Sequence, residues 1–358
     1  MRRQQSKAYT SSDAPDEPVL LRPVGTDDAE ALLQLAALLD TVNLPRDPEA
    51  IATIVATSGT SFAQIATPPT GLCATSIGAS PYTLVAVQGQ RLLGTASLLS
   101  HHGTPSDPHY YLRVVRQTLR STQLKTERTR HLLRLEHDQV PWTELGGLVV
   151  HPEARDQGLG KLLLAVRLLL IAMHAKHFCT RLLAELLPPR RPDGGNAFWD
   201  ALGGPLTGLN YYRADLLCRS DKEFIAALFP HHEIVLELLP HEAQAIVGQV
   251  GPATVPILKL LQRAGFRYLD TVDPFDGGPH YGALLEEVQP LQCSRSLVCL
   301  DLPPTQADIR VLLGNPHSQR FCAAMCQICG QGLRLEPATA QLLDLQAGDP
   351  VWTIPLDW

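Results

Sequence analysis

The 358-residue sequence predicts an α/β fold of the α+β kind, a mixed sheet flanked by helices, and three stretches predict it. Leu145 to Val150 is an apolar strand that breaks over His151 to Gln157 and gives way at Gly158 to a helix carrying Leu162, Leu163 and Leu164. Tyr82 to Leu99 holds two apolar strands around the turn Gln88-Gly89-Gln90, a hairpin. Val255 to Phe266 reads as a helix running into a strand at Arg267 to Asp273.

Each element takes its place in chain order. Residues 1–17 are polar throughout, with no apolar stretch for a secretory signal, and are expected as a disordered tail. Pro18 to Val24 is a first strand, and Thr26 or Asp27 is placed to cap a helix over Ala29 to Leu39. After the hairpin, His101 to Trp142 carries Arg113, Arg116, Arg120, Lys125, Arg128, Arg130 and Arg134. A solvated helix or loop face is preferred there over a positive surface that attracts phosphates.

Beyond the glycine turn and its helix, Arg181 to Leu187 is a strand carrying Glu185, ended by the prolines at 188, 189 and 192. Residues 190–250, rich in helix signals, form an insertion into a core unit spanning 18–290. The strand Arg267 to Asp273 turns at Asp276-Gly277-Gly278-Pro279 and returns toward Val288. From 291 to 358 the sequence changes to short β-prone runs, Ser296 to Leu300 and Val351 to Pro355, with a short helix from Leu342 ending at Gly348. This small β-rich unit is expected to serve packing or assembly.

A net charge of -6 argues against a nucleic-acid partner, which needs a basic footprint. The longest apolar run, Leu159 to Ala175, is broken by Lys161 and Arg167 and falls short of the roughly 18 residues of a membrane span. A soluble, cytoplasmic protein without a membrane partner is expected. The 8 cysteines then read as free thiols. Cys322, Cys326 and Cys329 have a C-x3-C-x2-C spacing and, with His317, the donors for a zinc, but a strand of small buried thiols is preferred and no metal is assigned.

The turn Arg155-x-x-Gly158-x-Gly160 opens a helix, so free N–H groups and the helix dipole aim at one point where an anion fits. A dinucleotide fingerprint would need a third glycine where Leu163 stands, and that reading fails. The loop resembles the acyl-CoA pyrophosphate loop of the GNAT family of N-acyltransferases, and the order strand, helix, hairpin, strand, loop, helix is the order of its core.

The runs Arg213 to Cys218, Phe224 to Pro230, Glu242 to Val250, Gly265 to Tyr268 and Asp273 to Pro279 are similar to the arginine N-succinyltransferase family. The likeness runs from about Val19 to the end, tight over 194–280 and loose before 140. It implies transfer of a succinyl group from succinyl-CoA, or another acyl-CoA, to the α-amine of arginine, the first step of a catabolic route, with no permanently bound cofactor. It also implies that Leu148 binds the acyl-CoA, that Val149 and Val150 face the thioester, and that Arg155, Gln157, Gly158, Leu159, Gly160 and Lys161 make the pyrophosphate loop. Leu44-Pro45 is similar to an N-terminal family loop. Asp273 and Asp276 match two family carboxylates, suited to a guanidinium and equally to capping their own turn.

The family's proton-donor histidine falls on Gly251, which carries no side chain. The substitutes are Glu185, a carboxylate inside an apolar strand, Glu144 at a strand start, and His232, each weighed against a plain structural role. Three other readings stand beside catalysis on arginine: an acyltransferase for a different small amine, a non-catalytic or regulatory subunit, and a metal or redox protein built on the cysteines. A homo- or hetero-oligomer is open.

Overall fold

A computed structural model describes residues 17–38, 44–65, 79–191, 194–218, 221–299, 309–315, 321–328 and 337–358. Its frame is one sheet of 14 strands, ordered β11-β14-β12-β13-β1-β2-β3-β6-β7-β10-β9-β4-β5-β8. The strands are β1 (Leu20–Pro23), β2 (Pro81–Gln88), β3 (Arg91–His102), β4 (Tyr110–Ser121), β5 (Thr126–His137), β6 (Trp142–Val150) and β7 (Arg181–Glu185). They continue as β8 (Ile234–Val235), β9 (Arg267–Val272), β10 (Pro279–Leu284), β11 (Arg295–Val298), β12 (Ile309–Gly314), β13 (Ala323–Ile328) and β14 (Pro350–Pro355). Among the described residues the mixed character predicted from sequence rests on one junction, the parallel pairing of β6 with β7, and the other pairings are antiparallel.

The helices are α1 (Ala29–Leu38), α2 (Pro48–Ile65), α3 (Leu159–Met173), α4 (Ala197–Ala201), α5 (Gly203–Thr207) and α6 (Tyr211–Cys218). They continue as α7 (Glu223–Leu228), α8 (His241–Gln244), α9 (Val255–Ala264), α10 (Gln289–Gln292) and α11 (Pro337–Leu342). The all-round apolar sequence of α3 fits its place, since Leu163, Leu164, Leu168, Leu169 and Leu170 are all fully buried. Each such leucine contributes about 2 kcal/mol of burial. The insertion helices build a second core, in which Phe198, Trp199, Ile225 and Phe229 pack with Leu112 of β4 and Leu133 of β5.

Several expectations are corrected. The turn before α1 is capped by neither Thr26 nor Asp27: Asp28 accepts from the Gly25 N–H at 2.7 Å and from Arg22 Nη1 at 2.6 Å. The arginine-rich segment is a long β-hairpin, β4–β5, and not a helix or loop face, because its charges pair across the strands, as Arg113 with Glu136 and Arg120 with Glu127. The helix expected from Leu342 lies earlier, at Pro337–Leu342, and Gly348 sits in the turn before β14. Helix α2 has no counterpart in the sequence reading. The C-terminal strands extend the common sheet through β13, which pairs with β1.

Cys326 lies on β13 and Cys322 just before it, their thiols pushed up by burial to about 12 and about 11. Cys329 and His317 lie outside the described residues, as does the tail up to residue 16. Among the described residues no helix is long and apolar enough to cross a membrane.

Candidate active site

The site forms where the sheet opens. The β6–β7 pairing covers Thr143–Leu182 and Glu144–Leu183, and from Leu145 onward the β7-facing edge of β6 borders a cavity of about 1200 Å³. On its other edge β6 bulges: between the pairs Thr95–Val149 and Ser97–Gly146, Gly147 and Leu148 together oppose Ala96. Gly147 takes a φ of 58°, a conformation that favours glycine.

At one end of the cavity stands the start of α3. Gly158 is its N-cap, and Lys161 and Leu162 are the first to donate back to the Gly158 carbonyl, so the N–H groups of Leu159 and Gly160 lie ahead of the helical ladder. Leu148, Val149, Val150, Arg155, Gly158, Leu159, Gly160 and Lys161 all line the cavity, as the sequence expects of a cofactor loop. Gln157 does not; it is exposed and donates to the Glu153 carbonyl. The Lys161 ammonium is also engaged elsewhere, donating to the carbonyls of Leu356 at 2.5 Å and Trp358 at 2.8 Å.

At the other end is a group of carboxylates and histidines. Glu144, Glu185, Asp273 and Asp276 line it with His102 and His109. His109 is buried, with Nδ1 2.8 Å from Asp138 and Nε2 3.0 Å from Glu185. Burial works against its charge, but the two carboxylate hydrogen bonds win and lift it to about 10. For Glu185 burial likewise opposes ionisation, and His109 holds it well below the usual carboxylate range. Burial and the charge of Glu185 push Glu144 up to about 8 and Asp273 to about 7, and burial with the Asp273 charge lifts Asp276 well above its ordinary value. His102 is lowered to about 3 and His280 to about 4, both by burial first.

Asp273 and Asp276 also cap their turn. Asp273 Oδ1 accepts from the Phe275 and Asp276 N–H groups, and Asp276 Oδ1 from Gly278 at 2.7 Å. Glu144 and Glu185 are thus brought together, whereas His232 is exposed in a loop and outside the cavity lining. Gly251 lines the cavity, but no side chain fits there: a Cβ would stand 2.7 Å from the Pro188 carbonyl oxygen, and the Gly251 N–H donates to Leu187 at 2.9 Å.

Residues 19–290, three-quarters of the chain, match the arginine N-succinyltransferase beta subunit family. The chain belongs to the arginine N-succinyltransferase family. Arginine N-succinyltransferases of Salmonella paratyphi B and Salmonella newport are each 34% identical to it over 255 residues, 70% of this chain and 74% of theirs. The arginine/ornithine succinyltransferase subunit AI of Pseudomonas aeruginosa shares its fold, with a TM-score of 0.80 at 24% identity over 96% of this chain and 100% of that one.

Within this family member, sequence reasoning missed four residues of the carboxylate end: His102, His109, Asp138 and His280. One signal was available. His101-His102 and His109 flank a turn at the end of an apolar strand, where a buried histidine needs a partner. It also missed Arg167, fully buried on α3, whose Nη1 donates to the Gly146 carbonyl beneath the bulge.

Proposed function

We propose that the chain transfers the succinyl group of succinyl-CoA to the α-amine of arginine. One observation carries this reading: a single cavity joins an anion-seeking helix start at Gly158 to a cation-seeking cluster of Glu144, Glu185, Asp273 and Asp276. The pyrophosphate of the thioester substrate matches the first end and the guanidinium and amine of arginine the second. Family membership supplies the reaction class.

In this reading Arg155 and the Leu159 and Gly160 N–H groups hold the pyrophosphate. The open edge of β6 at Leu148 to Val150 polarises the thioester carbonyl through backbone N–H groups. Asp273 and Asp276 take the guanidinium. The amine nitrogen attacks the carbonyl carbon, a C–N bond forms and the C–S bond breaks. Glu144, whose carboxylate lies over Gly146 on the cavity wall, takes the amine proton and returns it to the leaving sulfur, so that CoA departs as the thiol. Holding amine and thioester in line supplies much of the acceleration, on the order of 7 kcal/mol or more in favourable cases. The proposed setting is the cytoplasm.

Thiol release from succinyl-CoA and acetyl-CoA, with and without arginine and ornithine, tests the proposal. Arginine-dependent release from succinyl-CoA is expected. Tight CoA binding with no arginine-dependent release would reject it in favour of another acceptor amine or a binding subunit, the reading that the empty place at Gly251 favours.

A further inference from the structure

Three side chains, from the ends of two strands and the loop between β3 and β4, meet at the carboxylate end of the cavity. His102 and His109 bracket the turn between β3 and β4, and Glu185 ends β7. Their donor atoms all lie within 4.8 Å of one another. His109 Nε2 is 3.0 Å and His102 Nε2 3.7 Å from the same oxygen, Glu185 Oε1. Ligands at about 2.0–2.1 Å from a tetrahedral zinc stand about 3.3 Å apart, so the two spacings bracket the ideal.

The other ring nitrogens are already directed. His109 Nδ1 faces Asp138 Oδ2 at 2.8 Å, and His102 Nδ1 faces Glu144 Oε2 at 3.5 Å. With Nδ1 as the donor in both rings, each Nε2 turns a lone pair toward Glu185, and a bound ion takes the place of the proton through which His109 Nε2 otherwise bonds that carboxylate. A carboxylate behind each ligating imidazole is how metal-bound histidines are oriented.

Two further atoms point the same way. His102 Nε2 and His280 Nε2 are buried with no hydrogen-bond partner, and His280 is 1% exposed. His280 stands opposite Glu185 across the β7–β10 pairing, and one of its ring nitrogens lies within 4.8 Å of donor oxygens on Glu185 and Asp273.

We propose that His102 Nε2, His109 Nε2 and Glu185 Oε1 bind a divalent transition-metal ion, zinc by the nature of the donors, with His280 beside it and one coordination position open to the cavity. Glu185 is shared with the cluster of the succinyl-transfer reading, but metal binding is measured without either substrate, so the two readings fail separately.

The test uses the full chain, stripped with chelator and titrated with Zn²⁺ and with Co²⁺ under equilibrium dialysis, elemental analysis and visible spectroscopy. About one ion per chain is expected, with cobalt giving the intense bands of a tetrahedral site. His102→Ala and Glu185→Gln should each lose binding. Asp138→Asn, which touches the site only through His109, should weaken it about 10- to 100-fold. His137→Ala, on the exposed side of β5, should bind as the wild type does. Circular dichroism establishes that each variant is folded. A folded wild type that takes up neither ion overturns the proposal and leaves a proton on His109 as the cation. Binding that persists in His102→Ala and Glu185→Gln, with thiolate-to-cobalt charge transfer, belongs to the cysteines and overturns it equally.

Discussion

Arg167, buried within α3, donates through Nη1 to the carbonyl oxygen of Gly146 on β6 at 3.2 Å and through Nε to Leu163 at 3.0 Å. The helix that follows the glycine loop is thereby tied to the strand that lines the cavity. Arg167→Met keeps much of the volume but leaves the Gly146 carbonyl without its buried donor. A loss of about 2–4 kcal/mol in urea unfolding is expected, with a lower kcat from the displaced bulge. Unchanged stability would show that the β6 backbone does not need this donor.

The empty position at Gly251 gives a second prediction. A Cβ there meets the Pro188 carbonyl, part of the backbone, at 2.7 Å. Gly251→Ala is expected to cost about 1–3 kcal/mol, and Gly251→His to cost more without raising the rate of thiol release. Thermal unfolding and the thiol assay, run side by side, decide it; a stable, faster histidine variant would show that residues 187–188 yield easily.

The glycine loop separates two cations six residues apart. Arg155 lines the cavity, while the Lys161 ammonium is drawn to the carbonyls of Leu356 and Trp358 and lies 4.6 Å from the Trp358 ring centroid. Arg155→Ala should raise KM for succinyl-CoA about three- to tenfold with kcat unchanged. Lys161→Ala should show chiefly in the docking of the last residues, read as a change in Trp358 fluorescence. Equal effects of the two variants on KM would contradict the assignment.

Acid stability offers a fourth test, remote from the site. Burial disfavours the Asp28 carboxylate, but Arg22, through two contacts of 2.6 and 2.9 Å, and the Gly25 N–H hold it below its ordinary value. A depressed folded pKa gives stability that is present above the unfolded value of about 3.9 and lost as pH falls through the folded one. Asp28→Asn is therefore expected to lower stability at pH 7 by about 1–2 kcal/mol and to flatten its fall below about pH 4. Parallel curves for the two proteins would refute it.

For the cation-seeking end, Glu144→Gln should cut kcat by about 10²- to 10³-fold with KM for acyl-CoA unchanged. Asp276→Asn should act mainly on KM for arginine. A Glu144→Gln variant of normal rate would remove that residue from the proposed proton path.

What the sequence disclosed was local. The loop Arg155 to Gly160 and the hairpin around Gly89 are spelled by neighbours in the chain, and both are in place. The β4–β5 hairpin escaped notice because its arginines hide the strand alternation, and their acidic partners, such as Glu136 for Arg113, become visible only in register. Helix α2, full of Thr, Ser and Ala, carries a weak apolar stripe of Ile51, Val55 and Phe62. The histidines were missed for a different reason. Glu185 and His280 are far apart in sequence yet stand directly opposite across β7 and β10, a neighbourhood fixed by strand pairing alone.

The ends of the sheet also bear on how the molecule lives among its copies. Of the described strands, the two at the margins are β8, 2 residues long, and β11, 4 residues long with Arg295 at its start. A sheet this wide would be a template for foreign strands if its borders were long and apolar. β8 covers β5 only at Leu132 and Leu133, and the rest of the outer edge of β5 carries Arg128, Arg130 and Arg134, charges that should protect the folded protein from edge-to-edge aggregation at high concentration.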